Sequence, residues 1–94
     1  MKDGEHIVYY LSGEISIKYN WLGGKKHGEY IIYFISGVIS SKYYYISGKL
    51  HGECIYYRES GEISYKCNYI DGDLVTELEW LCYVRNLKLE LILL

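Results

Sequence analysis

Ninety-four residues are enough for one small domain and too few for a thick two-layer core with an appended catalytic domain. The chain has no alanine, glutamine or proline, and thirteen of its sixteen aromatic residues are tyrosine, which leaves a helical bundle without its best surface helix formers. A net charge of −2 and a pI near 5.9 argue against a nucleic-acid binder driven by bulk charge.

The N-terminal segment Met1-Lys2-Asp3-Gly4-Glu5-His6 is polar, with no apolar stretch of the secretory type. No apolar run reaches the ~18–20 residues of a membrane span, because Arg85, Lys88 and Glu90 interrupt the longest candidate. Cys54, Cys67 and Cys82 make an odd number, far below the density of a disulfide scaffold. The expectation is a reduced, cytoplasmic chain.

From residue 3 onward the sequence repeats with a period of 24 and no gap, giving units 3–26, 27–50 and 51–74. Ten columns are identical in all three units, and units two and three share fourteen of their 24 positions. Each unit holds two stretches rich in Ile and Tyr, both strand formers, separated by glycine-punctuated turns. In the second unit these are Glu29 to Phe34 and about Val38 to Ile46. Ser12-Gly13, Ser36-Gly37 and Ser60-Gly61 are expected as tight two-residue hairpin loops, glycine accepting the positive φ that such turns require. The segment Ser47-Gly48-Lys49-Leu50-His51-Gly52 is expected as a longer link between hairpins.

A two-residue loop at Ser60-Gly61 pairs residues whose numbers sum to 121, so Cys54 faces Cys67. The equivalent pairs are His6 with Tyr19 and Tyr30 with Tyr43. The unit with cysteine in one column has it in the other as well, as expected of directly opposed side chains. One face should then carry Tyr30, Ile32, Phe34, Ile39, Tyr43 and Tyr45, with Val8, Tyr10, Ile15 and Trp21 as equivalents. Tyr10, Trp21, Tyr30, Phe34, Tyr43, Tyr45, Tyr56, Tyr65 and Tyr69 form the candidate interaction face.

Residues 75–94 contain no glycine and, with Leu74, hold eight of the eleven leucines. Alternation in Thr76 to Trp80 and in Leu87-Lys88-Leu89-Glu90-Leu91 suggests a degenerate fourth hairpin turning near Arg85-Asn86, with a terminal helix as the alternative. Either form could close the array or dock on a partner, using Trp80 and the Leu87-Leu89-Leu91 stripe. The fold class is therefore all-β, an elongated antiparallel meander of three hairpin repeats plus this degenerate C-terminal unit, all in one domain.

The columns Gly-Glu-x-Ile-x-Tyr, then Gly-x-Ile, Lys-Tyr and Gly-Lys-Leu-His-Gly-Glu resemble the MORN repeat, especially the variant found in giant-virus and bacterial antitoxin-like proteins. The resemblance covers residues 3–74. Gly4, Gly28 and Gly52 match the glycine opening each unit, Gly13, Gly37 and Gly61 the hairpin glycine, and Gly24, Gly48 and Gly72 the linking-loop glycine. Tyr9, Tyr33 and Tyr57 match the first-strand aromatic. Serine precedes the hairpin glycine where the family often has asparagine. The resemblance implies an interaction or scaffold module, sometimes membrane-associated, with no catalytic residues to transfer.

The residues themselves point the same way. His27 and His51 recur two strands apart, roughly 9–10 Å, beyond the ~2.0–2.3 Å reach of donors on one zinc ion. Cys54 and Cys67 have no opposed histidine to activate a thiolate. Lys18, Lys42 and Lys66 run beside the Glu5, Glu29 and Glu53 column, a mixed-charge solvated face. No metal site, cofactor or catalytic residue is expected. A protein partner or self-association is the leading function, and a membrane-surface module using aromatic and lysine side chains is the alternative.

Overall fold

β-Branched and tyrosine-rich segments alternate with glycine turns along the first three-quarters of the chain, and each such segment becomes a strand. The computed structural model describes residues 2–93, with side chains from Lys2 to Leu87. The strands are β1 (Gly4–Tyr9), β2 (Ile15–Leu22), β3 (Lys25–Tyr33), β4 (Ile39–Ile46), β5 (Lys49–Leu50), β6 (Gly52–Tyr57), β7 (Ile63–Ile70) and β8 (Asp73–Val75), followed by helix α1 (Glu77–Leu93). They form one antiparallel sheet in the order β1-β2-β3-β4-β6-β7-β8, with β5 also on β4. β5 and β6 together correspond to the uninterrupted β3 one unit earlier. The fold is the all-β meander that the repeat predicts, ended by one helix.

The central registers follow the repeat phase: His6 opposes Tyr19, Tyr30 opposes Tyr43, and Cys54 opposes Cys67. The turns differ from expectation in a way that leaves these registers intact. In the third unit the Arg58 N–H donates to the Glu62 carbonyl and the Gly61 N–H to the Arg58 carbonyl, both at 2.8 Å. The loop is therefore three residues, Glu59-Ser60-Gly61, with Gly61 at a φ of 92°. One residue of slip enters at this loop. A β-bulge removes it again, because Tyr56 pairs with Tyr65 but Tyr57 pairs with Ile63, leaving Ser64 as the extra residue. Ser16 and Ser40 are skipped in the same way. The two irregularities cancel, which is why a two-residue loop predicts the correct pairs deeper in the strands.

The bulge also corrects the face assignment at one end. Ile15 pairs with Tyr9 and Ile39 with Tyr33, so both share the side of Ile7, Ile31 and Lys42 rather than that of Tyr30. The expected long link is in fact the tighter turn. Ile46 pairs with Lys49, so only Ser47-Gly48 connects them, at φ values of 48° and 85°. Asp71-Gly72 repeats this at 49° and 87°, and Gly23-Gly24 at 61° and 79°, the two positive angles of a type I′ turn. Gly4, Gly28 and Gly52 lie in strands, not in turns.

The fourth hairpin does not form. β8 starts it in phase, pairing Tyr69 with Leu74 and Asn68 with Val75, and then the chain turns into α1. The cause is local. At Thr76 the repeat would place the glycine of the Gly4, Gly28 and Gly52 column, whose φ values are 109°, 89° and 90°, a region that threonine resists. Thr76-Glu77-Leu78-Glu79 is instead a capping box. The Glu79 N–H donates to Thr76 Oγ1 and the Thr76 N–H to Glu79 Oε1, each at 3.1 Å. We expect Thr76→Ala to weaken the cap by about 1 kcal/mol, read as a lower urea midpoint with reduced helical ellipticity. Of the proposed Leu87-Leu89-Leu91 stripe, Leu87 is exposed, while the side chains of Leu89 and Leu91 lie outside the described residues.

A single-layer sheet offers almost no interior. Among the described residues, only Cys54, Ser41 and Asn68 are buried, at 1%, 4% and 9% exposure. The molecule measures 52 × 34 × 21 Å. Stability must therefore come from packing between side chains along the sheet faces, and that places the weight of the fold on the aromatic face.

A candidate interaction face of aromatic rings

Tyr30, at the middle of β3, and Tyr43, opposite it on β4, have centroids 6.1 Å apart in an edge-on arrangement. The same column continues in both directions across the sheet. Towards β1 it runs to Tyr19 at 5.5 Å and on to His6, stacked at 5.5 Å. Towards β7 it runs from Tyr43 to Tyr56 at 5.8 Å and on to Tyr65 at 6.0 Å. Six rings thus cross six strands without a break, at separations where edge-on and offset pairs attract. Trp21 and Tyr45 flank the ladder, edge-on to Tyr19 at 6.4 Å and to Tyr30 at 5.8 Å. Lys26 Nζ lies 4.9 Å from the Tyr30 centroid and 5.3 Å from that of Tyr45, a cation–π bracket.

The sequence identified much of this face and missed part of it. Trp21, Tyr30, Tyr43, Tyr45, Tyr56 and Tyr65 come together in the ladder or at its flank. Tyr69 lies opposite Gly52 and Leu74, beside the ladder. Tyr10 and Phe34 sit at the loop end of the sheet, half-buried and outside the ladder. The Tyr10 hydroxyl donates to the Tyr33 carbonyl at 2.5 Å, fastening the first hairpin loop to the second. His6, Tyr19 and Lys26 were not among the expected face residues. The pairing of His6 with Tyr19, and of Tyr19 with Tyr30, is the signal that could have added His6 and Tyr19.

Packing of phenols against one another makes their ionisation unfavourable. Burial raises Tyr30 and Tyr45 above the usual tyrosine range, with neighbouring phenols adding to it. Tyr56 is raised chiefly through the 3.2 Å hydrogen bond that its hydroxyl shares with that of Tyr43. Cys54 is buried beside Cys67 on the same face, and burial pushes its thiol up to about 12. A thiol in that state is a small apolar filler and a poor nucleophile. Alkylation in the folded protein should therefore modify exposed Cys82 first and Cys54 last, with Cys54 staying slow until the pH nears 12. Peptide mapping after timed iodoacetamide treatment would show the order, and early labelling of Cys54 would contradict this packing.

The histidine column has a structural task. Asp3, His27 and His51 occupy one column of the repeat, and each side chain accepts from the first residue of a type I′ turn. Asp3 Oδ1 takes the Gly23 N–H at 2.9 Å, while His27 and His51 Nδ1 take the Ser47 and Asp71 N–H at 3.3 Å. The turns are also bonded between units, through Gly48 N–H to the Lys26 carbonyl and Gly72 N–H to the Leu50 carbonyl, both at 2.8 Å. His51 carries α1 as well. Its ring meets Tyr83 and Trp80 edge-on at 5.6 and 6.0 Å, and its Nε2 lies 3.4 Å from the Tyr83 hydroxyl.

Lys18, Lys42 and Lys66 pair with Ile7, Ile31 and Ile55 on the face opposite the ladder. Lys66 reaches Glu53 at 3.5 Å with both groups about half exposed, a contact worth little in water. Among the described residues, no three of His, Cys, Asp and Glu converge as metal ligands, and no helix is long and apolar enough to cross a membrane. Comparison with family models, curated proteins and solved structures finds no match for the chain.

Proposed function

We propose that this chain is a MORN-like repeat module that works inside the cell as a non-enzymatic scaffold, binding a protein partner through its aromatic face. The observation that carries the reading is the unbroken six-ring ladder, half-exposed along one side of a sheet with almost no interior. Tyrosines held by one another lose little further freedom on binding, and they offer both apolar area and hydroxyls, which is the chemistry of protein contact surfaces. A membrane-surface role would combine lysines and aromatics at the headgroup level. Here the Lys18, Lys42 and Lys66 column stands on the other face, mixed with glutamates.

The test compares wild type with Tyr45→Glu, which places a charge on the flank of the ladder, and with Lys42→Ala on the opposite face. Affinity capture from the source cell, followed by reconstitution with the purified partner, should show binding lost in Tyr45→Glu and kept in Lys42→Ala. Co-sedimentation with phosphatidylserine vesicles, lost in Lys42→Ala while no purified protein binds, would overturn the proposal in favour of the membrane-surface reading.

A further inference from the structure

The two edges of the sheet, at β1 and β7, present complementary columns of the same repeat. Inside the molecule, the outer edge of each second strand is covered by the first strand of the next unit. Ile17, Lys18 and Tyr19 pair with Ile32, Ile31 and Tyr30, and Ser41 and Lys42 pair with Tyr56 and Ile55. The equivalent stretch of β7, Tyr65-Lys66-Cys67, is paired with β6 on one side and, among the described residues, has no strand on its outer side, because β8 pairs only with Asn68, Tyr69 and Ile70 before α1 begins.

Exposure records the missing neighbour. Ser41 is 4% exposed between two strands, whereas its equivalent Tyr65 is 58% exposed. At the other end, among the described residues, β1 has no strand on its outer side. Val8 is 43% exposed there, while its equivalents Ile32 and Tyr56 are half-buried. Beside the β7 edge the surface opens into a notch of about 310 Å³, lined among others by Tyr65, Lys66, Cys67, Asn68 and Thr76. Asn68 Oδ1 is buried beside it with no hydrogen-bond partner among the described residues.

We infer that β1 of a second copy of this chain adds to the β7 edge, so that molecules associate head to tail and continue the repeat. The phase of the repeat sets the register: Val8 of the incoming copy opposes Tyr65, Ile7 opposes Lys66 and His6 opposes Cys67. His6 then brings the end of its own ring ladder up to the Tyr65 end of the host's, making one aromatic face across two molecules. Only this short segment has to pair, because the pairs on the turn side, made inside the molecule by Lys25-Lys26 and Lys49-Leu50, are already made in the host by its own β8. The incoming Lys2 and Asp3 give way to the host's Leu74 and Val75, which already fill those columns. The contact is heterologous, so it leaves a free edge at each end and does not close at a dimer. It extends the proposed aromatic face and rests on that reading for its purpose, but not for its test.

Sedimentation velocity of the full chain between about 10 µM and 1 mM should show species that grow with concentration beyond a dimer. Val8→Lys and Tyr65→Lys each place an unpaired charge in the contact, a device that blocks strand addition, and each should weaken self-association at least tenfold. An equimolar mixture of the two variants should form a dimer that grows no further, because one intact β7 edge meets one intact β1 edge. Circular dichroism confirms that each variant is folded, and Tyr65→Glu replaces Tyr65→Lys if the latter is not. A wild-type chain that stays monomeric throughout, a single variant that still associates, or a mixture that stays monomeric would each overturn the inference. None of these results bears on capture of a partner by the aromatic face, so the two proposals fail separately.

Discussion

Tyr30→Ala should destabilise the sheet by about 2–4 kcal/mol. Full burial of a large aromatic is worth ~3–5 kcal/mol on truncation to alanine, and Tyr30 is only half-buried, which lowers the figure. It also has three ring partners, Tyr19, Tyr43 and Tyr45, and each such pair contributes about 0.5–1.5 kcal/mol beyond area. The loss falls on both hairpin interfaces at once, because Tyr30 joins the first unit to the second. Tyr44→Ala is the control. Tyr44 lies on the opposite face at 43% exposure, and its removal should change stability by less than about 1 kcal/mol. Equilibrium urea unfolding of the two variants measures both values, and equal losses would mean that the ladder is not what holds the sheet.

Ending the chain after Val75 should lower the melting temperature by roughly 10–20 °C. Without α1, His51 loses the rings of Trp80 and Tyr83, which themselves stack at 5.6 Å. Removal of two half-buried aromatic contacts and the capping box amounts to about 2–3 kcal/mol, and each kcal/mol shifts the midpoint of a domain this size by ~4–8 °C. The truncated chain should still unfold from a β-rich state. The helix braces the turn end of the third unit and leaves the Tyr65-Lys66-Cys67 edge uncovered, so its loss weakens the array without creating that edge. An unchanged melting temperature would show that α1 serves only to dock elsewhere.

The architecture was readable because the repeat supplies three aligned witnesses for every position. Cys54 and Cys67 varying together gave the register, and the Ile and Tyr columns gave the strands. The turns were harder to read, since Ser60-Gly61 fits a two-residue loop as well as the last two positions of a three-residue one. Only backbone hydrogen bonding separates them, and the compensating bulge at Ser64 hides the difference from any register argument. The helix is harder to read, since alternation in Thr76 to Trp80 favours a fourth hairpin over the terminal helix that is its alternative, while the same residues form a capping box. Of the interaction face, most tyrosines on the strands were legible from periodicity alone, Tyr19 being the exception. His6 follows from its pairing with Tyr19 inside the first hairpin, whereas Lys26 was not legible, because its placement depends on how one unit stacks on the next.

That stacking is the central claim: the units hold together through their shared phase, as in any linear array where neighbours supply the stability. It is tested most directly by inserting a second copy of residues 27–50 after Leu50 and measuring guanidinium unfolding against the wild type. An added unit contributes one more ladder pair of tyrosines and one more interface, so the variant should unfold in a single transition. Its midpoint and slope should both be higher than those of the wild type, the slope because more surface is exposed. A lower midpoint, or a separate early transition for the inserted residues, would contradict an array built by repeat phase.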